Sequence, residues 1–253
     1  MRKSLRVLVP LAAASIPLAF MASPASADGG NSFQANLAPD NHSTGSGNLT
    51  LTLNGNQATI HETFNGLAAT FMGGPYPHVQ HIHDGGRGQC PTPSADKNGD
   101  GVINTTEGQP AYGPIGTTLS VKGDTSPKAG TDVKIAPAGG SATYNRTITV
   151  TSDVANNIRR GNAVIVVHGL DPSTLSKKAQ GEKSDLVPSL PLAATSPTLC
   201  GVLSSMPSGG VATGTGSTSG VQDQALLALG GGLLLAGAGA GAVAARRRKT
   251  AGV

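Results

Sequence analysis

The sequence has few charged or aromatic side chains: among 253 residues there is no tryptophan, 3% are aromatic and 13% are charged. The formal net charge is +4, but seven of the 18 basic side chains lie near the two ends of the chain. Residues 28–222 hold 11 Lys and Arg against 13 Asp and Glu, so the main body is slightly acidic. The absence of a basic stripe and of stacking aromatics argues against nucleic-acid binding.

Cysteine is also scarce, with Cys90 and Cys200 the two copies in the chain. In an exported protein two cysteines suggest one disulfide. A Cys90–Cys200 bridge would close a loop of over a hundred residues and stabilise the fold by a few kcal/mol, about 4–5 in the chain-entropy model. Outside the terminal segments, no convincing amphipathic helix is found.

The two ends predict an exported and anchored protein. A basic start, an apolar run from Val7 to Ala22 and an A-x-A site at Ala25–Ala27 indicate a secretory signal peptide over residues 1–27. The segment Ala225–Ala245 has 21 uncharged residues and precedes a basic cluster, which predicts a transmembrane helix with residues 246–253 in the cytoplasm. The alternative is a soluble Gly/Ala linker.

This layout is typical of a cell-surface protein anchored in the plasma membrane or the cell wall. No Leu-Pro-x-Thr-Gly sorting motif is found, and whether the C-terminal segment is cleaved for wall attachment stays open. A flexible Gly/Ser/Thr stalk over 205–224 would separate the anchor from a domain at 28–204. Protein partners and oligomeric state are not indicated.

Short alternating runs predict the fold of that domain. Leu49–Leu53 and Ala58–Phe64 alternate apolar and polar residues around an Asn54–Gly55 turn, which indicates a hairpin with one dry face. Ala163–His168 is continuously apolar until its last residue, as in a buried strand. About eight such strands predict an all-β sandwich or barrel. Further strands are predicted near 32–38, 78–83, 117–121, 131–135, 143–151 and 199–203.

The histidines suggest a metal site. Residues two apart on a strand share a face, so a strand over 78–83 would present His81 and His83 together and turn Ile82 to the opposite layer. The alternative is two surface histidines on a polar strand edge. His61 falls on the polar side of its strand and is predicted to be solvated.

Several motifs in this order resemble the copper/zinc superoxide dismutase family. The matching pieces are His78-x-x-His81-x-His83, Cys90, the strand Ala163–His168, and Leu199-Cys200-Gly201-Val202. A chordin-type (CHRD) domain is a close alternative for the same architecture. The resemblance implies a Greek-key β-sandwich or barrel, copper held by His81, His83 and His168 with one position open to a small oxidant, and structural roles for His78 and the Cys90–Cys200 disulfide.

The departures from the family are equally specific. No histidine lies between His83 and His168, so the family's metal-bridging histidine and zinc site are missing and no zinc is expected. Pro197 stands where the family has its active-site arginine, which attracts superoxide by its charge. Copper-dependent superoxide dismutation is therefore expected to be handicapped. The alternative is a non-catalytic calcium- and copper-binding structural or adhesive module of the CHRD type.

A second metal motif follows Cys90. Residues 96–107 match the twelve-residue EF-hand calcium loop at every ligand position, with Gly101 at the sharp turn. Its predicted calcium ligands are Asp96, Asn98, Asp100, Val102, Asn104 and Glu107. The flanks do not resemble long helices, so an inserted dockerin-like loop is expected. The alternative is an Asx-rich turn without metal.

Overall fold

The computed structural model describes residues 31–207. The strands are β1 (Ser32–Pro39), β2 (Ser46–Asn54), β3 (Gln57–Asn65), β4 (Thr70–Phe71), β5 (Gly74–Pro75), β6 (Gln80–Asp84), β7 (Ile115–Thr118), β8 (Ala142–Thr149), β9 (Ala163–His168), β10 (Pro197–Val202) and β11 (Ser204–Ser205). The α-helices are α1 (Thr105–Tyr112), α2 (Ser152–Arg159) and α3 (Lys177–Gly181). Short 3-10 turns occupy Pro93–Ala95, Pro127–Ala129, Val133–Ile135, Pro172–Thr174 and Leu192–Ala194.

The main sheet runs in the order β7-β6-β9-β10-β1-β2-β3-β8, and every neighbouring pair in it is antiparallel. The strand β1 joins its two parts, because Ser32–Leu37 pairs with β2 whereas Ala38 and Pro39 pair with β10. The sheet curls around one apolar core. The expectation of a predominantly antiparallel β fold is confirmed.

The alternating runs form strands because one face of each is buried. In β2 and β3 every second residue lies in the core, and the intervening threonines, asparagines and His61 lie outside. The turn consists of Gly55 and Asn56, one position later than predicted, since Asn54 pairs with Gln57. Gly55 has a φ of 58°, which glycine adopts without steric cost.

One side chain joins the two edge strands of the main sheet. The Arg146 guanidinium on β8 donates to the backbone oxygen of Ser120, just past β7, at 2.5 Å and to its hydroxyl at 2.9 Å. This contact links β7 and β8, which have no ladder between them among the described residues. The Arg146 side chain therefore links the two edges of the curled sheet.

The two ends of the described domain lie side by side. Ser205 pairs with Phe33 in the β11–β1 ladder, and the Met206 amide donates to the Ser32 carbonyl at 2.8 Å. The chain thus stays attached to β1 as far as Met206, past the boundary expected at 204.

Several elements differ from the sequence-based expectation. Two helices of eight residues were not predicted: α1, and the amphipathic α2, which buries Val154, Ala155 and Ile158. The predicted strand at 131–135 is wrong, because Val133–Ile135 forms a 3-10 turn that begins at the Asp132 side chain. A small β4–β5 hairpin lies in the predicted loop before the histidines.

Within residues 31–207 no helix combines the length and the apolar character that crossing a bilayer requires. The predicted signal peptide 1–27, the transmembrane segment 225–245 and the tail 246–253 lie outside the described residues, as does most of the predicted stalk 205–224.

Candidate metal centre

Neighbouring strands bring the three predicted copper ligands together. His81 and His83 lie on β6, with Ile82 turned into the core between them. His168 ends β9, which pairs with β6 in a register that places Gln80 opposite Val167. One ring nitrogen from each histidine lies within 4.8 Å of the other two, and all three side chains are buried. Histidines 85 residues apart in sequence therefore converge at one point.

The hydrogen bonds determine which nitrogen of each histidine carries its proton. His81 Nε2 lies 2.9 Å from the Gly130 carbonyl, His83 Nδ1 lies 2.9 Å from the Gly113 carbonyl, and His168 Nδ1 lies 2.7 Å from the Thr195 carbonyl. A carbonyl oxygen only accepts, so each of these nitrogens is the N–H donor.

The other nitrogens are consequently lone-pair acceptors. They are His81 Nδ1, His83 Nε2 and His168 Nε2, which are buried and have no hydrogen-bond partner. Buried acceptors without a partner are costly, so three of them in one cluster favour a ligand that they could share. The second nitrogen of each ring is held by a backbone carbonyl, which is the usual outer support of a metal-bound histidine.

Electrostatics keep this cluster neutral. Burial lowers the pKa of His83 to about 3 and that of His168 to about 4. Burial first, and then repulsion from the other two rings, holds the pKa of His81 well below its usual 6.5. At neutral pH all three rings are therefore uncharged, which is the form that binds a metal ion.

Helix α1 supports two of the three histidines, one from each end. The Gly113 carbonyl, which holds His83, belongs to the C-cap of α1. At the other end, the Thr105 hydroxyl donates at 2.7 Å to the same Thr195 carbonyl that holds His168. Neither Thr105 nor Thr195 is predictable from the sequence, because no motif marks a supporting carbonyl.

The remaining histidines lie apart from the cluster. His78 is buried against Tyr76 and Phe64, and its ring nitrogens lie 3.0 Å from the carbonyls of His168 and Ala68. It therefore holds the backbone of a cluster residue. His61 lies on the exposed outer face of β3, where its Nδ1 contacts Asn145 Oδ1.

The disulfide between Cys90 and Cys200 is present and confirms that prediction. It packs with Tyr112 of α1 and with Val164 and Val166 of β9. The bridge thus fastens the segment before α1 to the strands that carry the histidines. Tyr112 in turn lies 4.5 Å from His83, between ring centroids.

The predicted calcium loop folds around its own carboxylates. Asp96 accepts from the amides of Gly99 and Gly101, and Glu107 accepts from the amides of Lys97 and Asn104. Glu107 also forms a capping box with Asn104 at the start of α1.

Asp100 is buried, and its carboxyl group beside Glu182 raises the pKa of Glu182. In the described part of the chain, however, the histidine trio is the one group of three metal-binding side chains with atoms within 4.8 Å of one another. The carboxylates of Asp96, Asp100 and Glu107 do not meet that closely.

A polar cluster inside the barrel was not expected from the sequence. Glu62 is completely buried, and neither of its carboxylate oxygens has a hydrogen-bond partner among the described residues. Tyr144 lies opposite it on β8, and the side chain of Gln80 approaches it from β6. Burial raises the pKa of Glu62 to about 8. Glu62 occupies a core position in an alternating strand, so its position alone could have identified it.

Comparison with known proteins does not identify a family for this chain. No family model and no curated protein matches the sequence. Among solved structures, the chain is similar to a mutant of Candida albicans superoxide dismutase 5, with 15% sequence identity, a TM-score of 0.37, and coverage of 74% of this chain and 98% of that chain. A likeness at this level carries no argument about function, so the chemistry rests on the site itself.

Proposed function

We propose that this chain is an exported, surface-anchored copper-binding protein built on a β-barrel of the superoxide dismutase type. Two observations support it: the three histidines each bring one ring nitrogen within 4.8 Å of the others, and each ring keeps one buried nitrogen without a hydrogen-bond partner. Imidazole nitrogens suit copper, and Cu(II) binds such donors more tightly than the other divalent first-row metals do.

His81, His83 and His168 would hold the ion, and the carbonyls of Gly130, Gly113 and Thr195 would orient them. Bound copper would supply one-electron redox chemistry. The resemblance to the superoxide dismutase family implies superoxide as its substrate. The charges near the site would not attract the superoxide anion. Pro197 lies directly opposite His168 at the family's arginine position, and the charge that acts on His168 is the negative one of the Asp185 carboxylate. Copper retention is therefore the better supported role, and dismutation the weaker one.

The test is copper loading of the full chain, followed by electron paramagnetic resonance and a superoxide assay. We expect nitrogen hyperfine structure from three imidazoles. His168→Ala should weaken copper binding by on the order of a hundredfold or more, since losing even a supporting group costs 10- to 100-fold. His61→Ala, which changes an exposed histidine on β3, is the matched control and should leave the spectrum unchanged.

An unaltered copper affinity in His168→Ala would refute the proposed site. Equal superoxide turnover in wild type and His168→Ala would exclude dismutation at the trio.

A second proposed role is calcium binding by residues 96–107, as part of a structural or adhesive surface module. Its support is the match of this loop to the EF-hand pattern at every ligand position, together with Asn98, whose side-chain amide donates to Asp100 at 2.8 Å and to Glu182 at 3.3 Å and so holds two carboxylates side by side. Like charges so close together favour a bound cation or a shared proton. The loop leads directly into α1, so a cation there would order the helix that supports His83 and His168.

A further inference from the structure

A cavity of about 270 Å³ opens over the histidine trio. Its lining comprises the three histidines, eight apolar side chains, four hydroxyl-bearing side chains and Gly130. The apolar members are Pro77, Val79, Ile115, Val133, Leu186, Val187, Leu190 and Ala194. No lysine, arginine, aspartate or glutamate lines it. The approach to the proposed copper is therefore apolar and uncharged.

Two large apolar side chains at the rim of this cavity are exposed to solvent. Val133 and Leu186 are each 46% exposed, and they are two of the five large hydrophobic side chains that are exposed among the described residues. They come from separate segments, one in the turn after α1 and β7 and one in the loop before β10. Apolar area gathered around a pocket is typical of a ligand site.

The wall that carries Leu186, Val187 and Leu190 is held in place by Ser184. Its hydroxyl accepts from the amides of Leu186 and Val187 at 3.1 and 2.9 Å, and its amide donates to the Leu190 carbonyl at 3.0 Å. The same hydroxyl lies 2.7 Å from the hydroxyl of Thr195, whose carbonyl holds His168. Pocket wall and metal ligand thus belong to one hydrogen-bonded unit, so the pocket is preformed.

Charge near the cavity disfavours an anion. The Asp185 carboxylate, fixed by the amide and hydroxyl of Thr106, directly precedes this wall in sequence and acts electrostatically on His168. An anionic ligand would approach this carboxylate through an apolar opening that strips its water. A neutral molecule avoids both the repulsion by Asp185 and the cost of removing water from a charge.

We propose that this cavity binds a small, uncharged aromatic molecule of one or two rings, which adds one lone pair to the metal held by His81, His83 and His168. The inference rests on the copper site proposed above and defines the class of ligand that reaches it. The size fits, because a cavity of about 150 Å³ already holds benzene. The hydroxyls of Thr105, Thr131, Ser189 and Thr195 could orient a polar substituent.

The experiment compares three probes on the copper-loaded full chain: imidazole, 4-phenylimidazole and azide. Binding is followed by the change in the copper absorption and paramagnetic resonance spectra. We expect 4-phenylimidazole to bind at least about tenfold more tightly than imidazole, since its phenyl ring would leave water for the apolar wall. Azide, an anion, is expected to bind more weakly than imidazole.

Variants at exposed positions test where the phenyl ring lies. Leu186→Ser should reduce the advantage of 4-phenylimidazole over imidazole by about threefold or more while leaving copper binding intact. Met72→Ser removes an apolar side chain that is 82% exposed in the β4–β5 turn and should change nothing. Neither substitution alters a core residue, so both variants are expected to fold.

The two proposals fail in different ways. Equal affinities for imidazole and 4-phenylimidazole, or an unchanged ratio in Leu186→Ser, would overturn the aromatic pocket while leaving the copper site standing. Copper that binds equally well to His168→Ala would overturn both.

Discussion

His81 presents a different ring nitrogen to the cluster from the one that its two partners present. Its Nδ1 is unpartnered, whereas His83 and His168 leave Nε2 unpartnered. Side chains two residues apart on a strand start about 7 Å apart, and here His81 and His83 leave nitrogens free at different distances from the backbone. The carbonyls of Gly130 and Gly113 enforce this choice through the protonated nitrogens.

Glu62 gives a prediction about pH. Its folded pKa of about 8 lies above the usual 4.5, so the folded state retains a proton that the unfolded state loses. Stability is therefore highest below pH 4.5 with respect to this group, and falls as pH rises towards 8. Glu62→Gln should be close to wild type at pH 4.5 and increasingly more stable above it, by up to about 1.4 kcal/mol per pH unit. Urea unfolding of both proteins at several pH values measures this difference.

Tyr144→Phe is the matched control for Glu62→Gln. Tyr144 lies opposite Glu62 in the β3–β8 ladder, and burial raises its pKa to about 12. Its hydroxyl stays neutral between pH 4.5 and 9, so this substitution should shift stability by the same amount throughout. A pH-independent difference for Glu62→Gln would show that the carboxyl is not titrating in the barrel.

At the scale of the element, α1 connects the loop 96–107 to the histidines. This helix was not predicted, because Pro110 and Gly108 are poor helix formers. Asn104 and Glu107, which were predicted to bind calcium, are also the two members of the capping box that begins the helix. These two residues fit both the calcium-loop pattern and the capping-box pattern, and from the sequence alone the calcium loop was the better match.

Thr105 tests the connection between α1 and His168. Thr105→Val removes the hydroxyl that donates to the Thr195 carbonyl, so that carbonyl is held less firmly against His168. We expect copper affinity to fall about tenfold, at the lower end of the 10- to 100-fold effect of supporting groups. Competition with a chelator measures it. Thr105→Ser keeps the donor and should restore affinity; two variants with the same loss would contradict the positioning role.

Calcium gives a second prediction at this scale. Calcium at a hundredfold excess over its Kd should add about 2.7 kcal/mol to stability. That corresponds to a rise of several degrees in melting temperature for a domain of this size, by about 2–4 °C per kcal/mol. Scanning calorimetry of the full chain with calcium and with chelator measures the rise. Asp96→Asn, which keeps an acceptor for Gly99 or Gly101 but removes the charge, should abolish it. Identical curves for wild type in the two conditions would remove calcium from the proposed function.

For the whole molecule, the disulfide is the longest covalent link. It spans 110 residues, for which the chain-entropy model gives about 4–5 kcal/mol. The double variant Cys90→Ser, Cys200→Ser should lose stability on that scale in urea unfolding, and wild type in reductant should behave alike. A loss below about 1 kcal/mol would mean that Tyr112, Val164 and Val166 hold the segment without the bridge.

The parts of the fold that could be predicted are those in which the residue pattern is compatible with one structure alone. Alternation in β2 and β3 required a half-buried sheet, and two cysteines allowed one intramolecular bridge. The sequence did not predict the 3-10 turn at Val133–Ile135, whose β-branched residues favour a strand while the Asp132 side chain turns the backbone. The supports of the histidines were also out of reach, because the carbonyls of Gly113, Gly130 and Thr195 have no side-chain signature.

The closeness of Ser32 and Met206 has a practical consequence. A domain whose entry and exit share one hydrogen bond can be grafted into an exposed turn of another protein with little strain on the host. The same arrangement permits a permuted chain in which a short linker joins 206 to 32 and new termini are opened in the β4–β5 turn. Such a permuted chain would retain the histidine trio without the residues that flank 32–206.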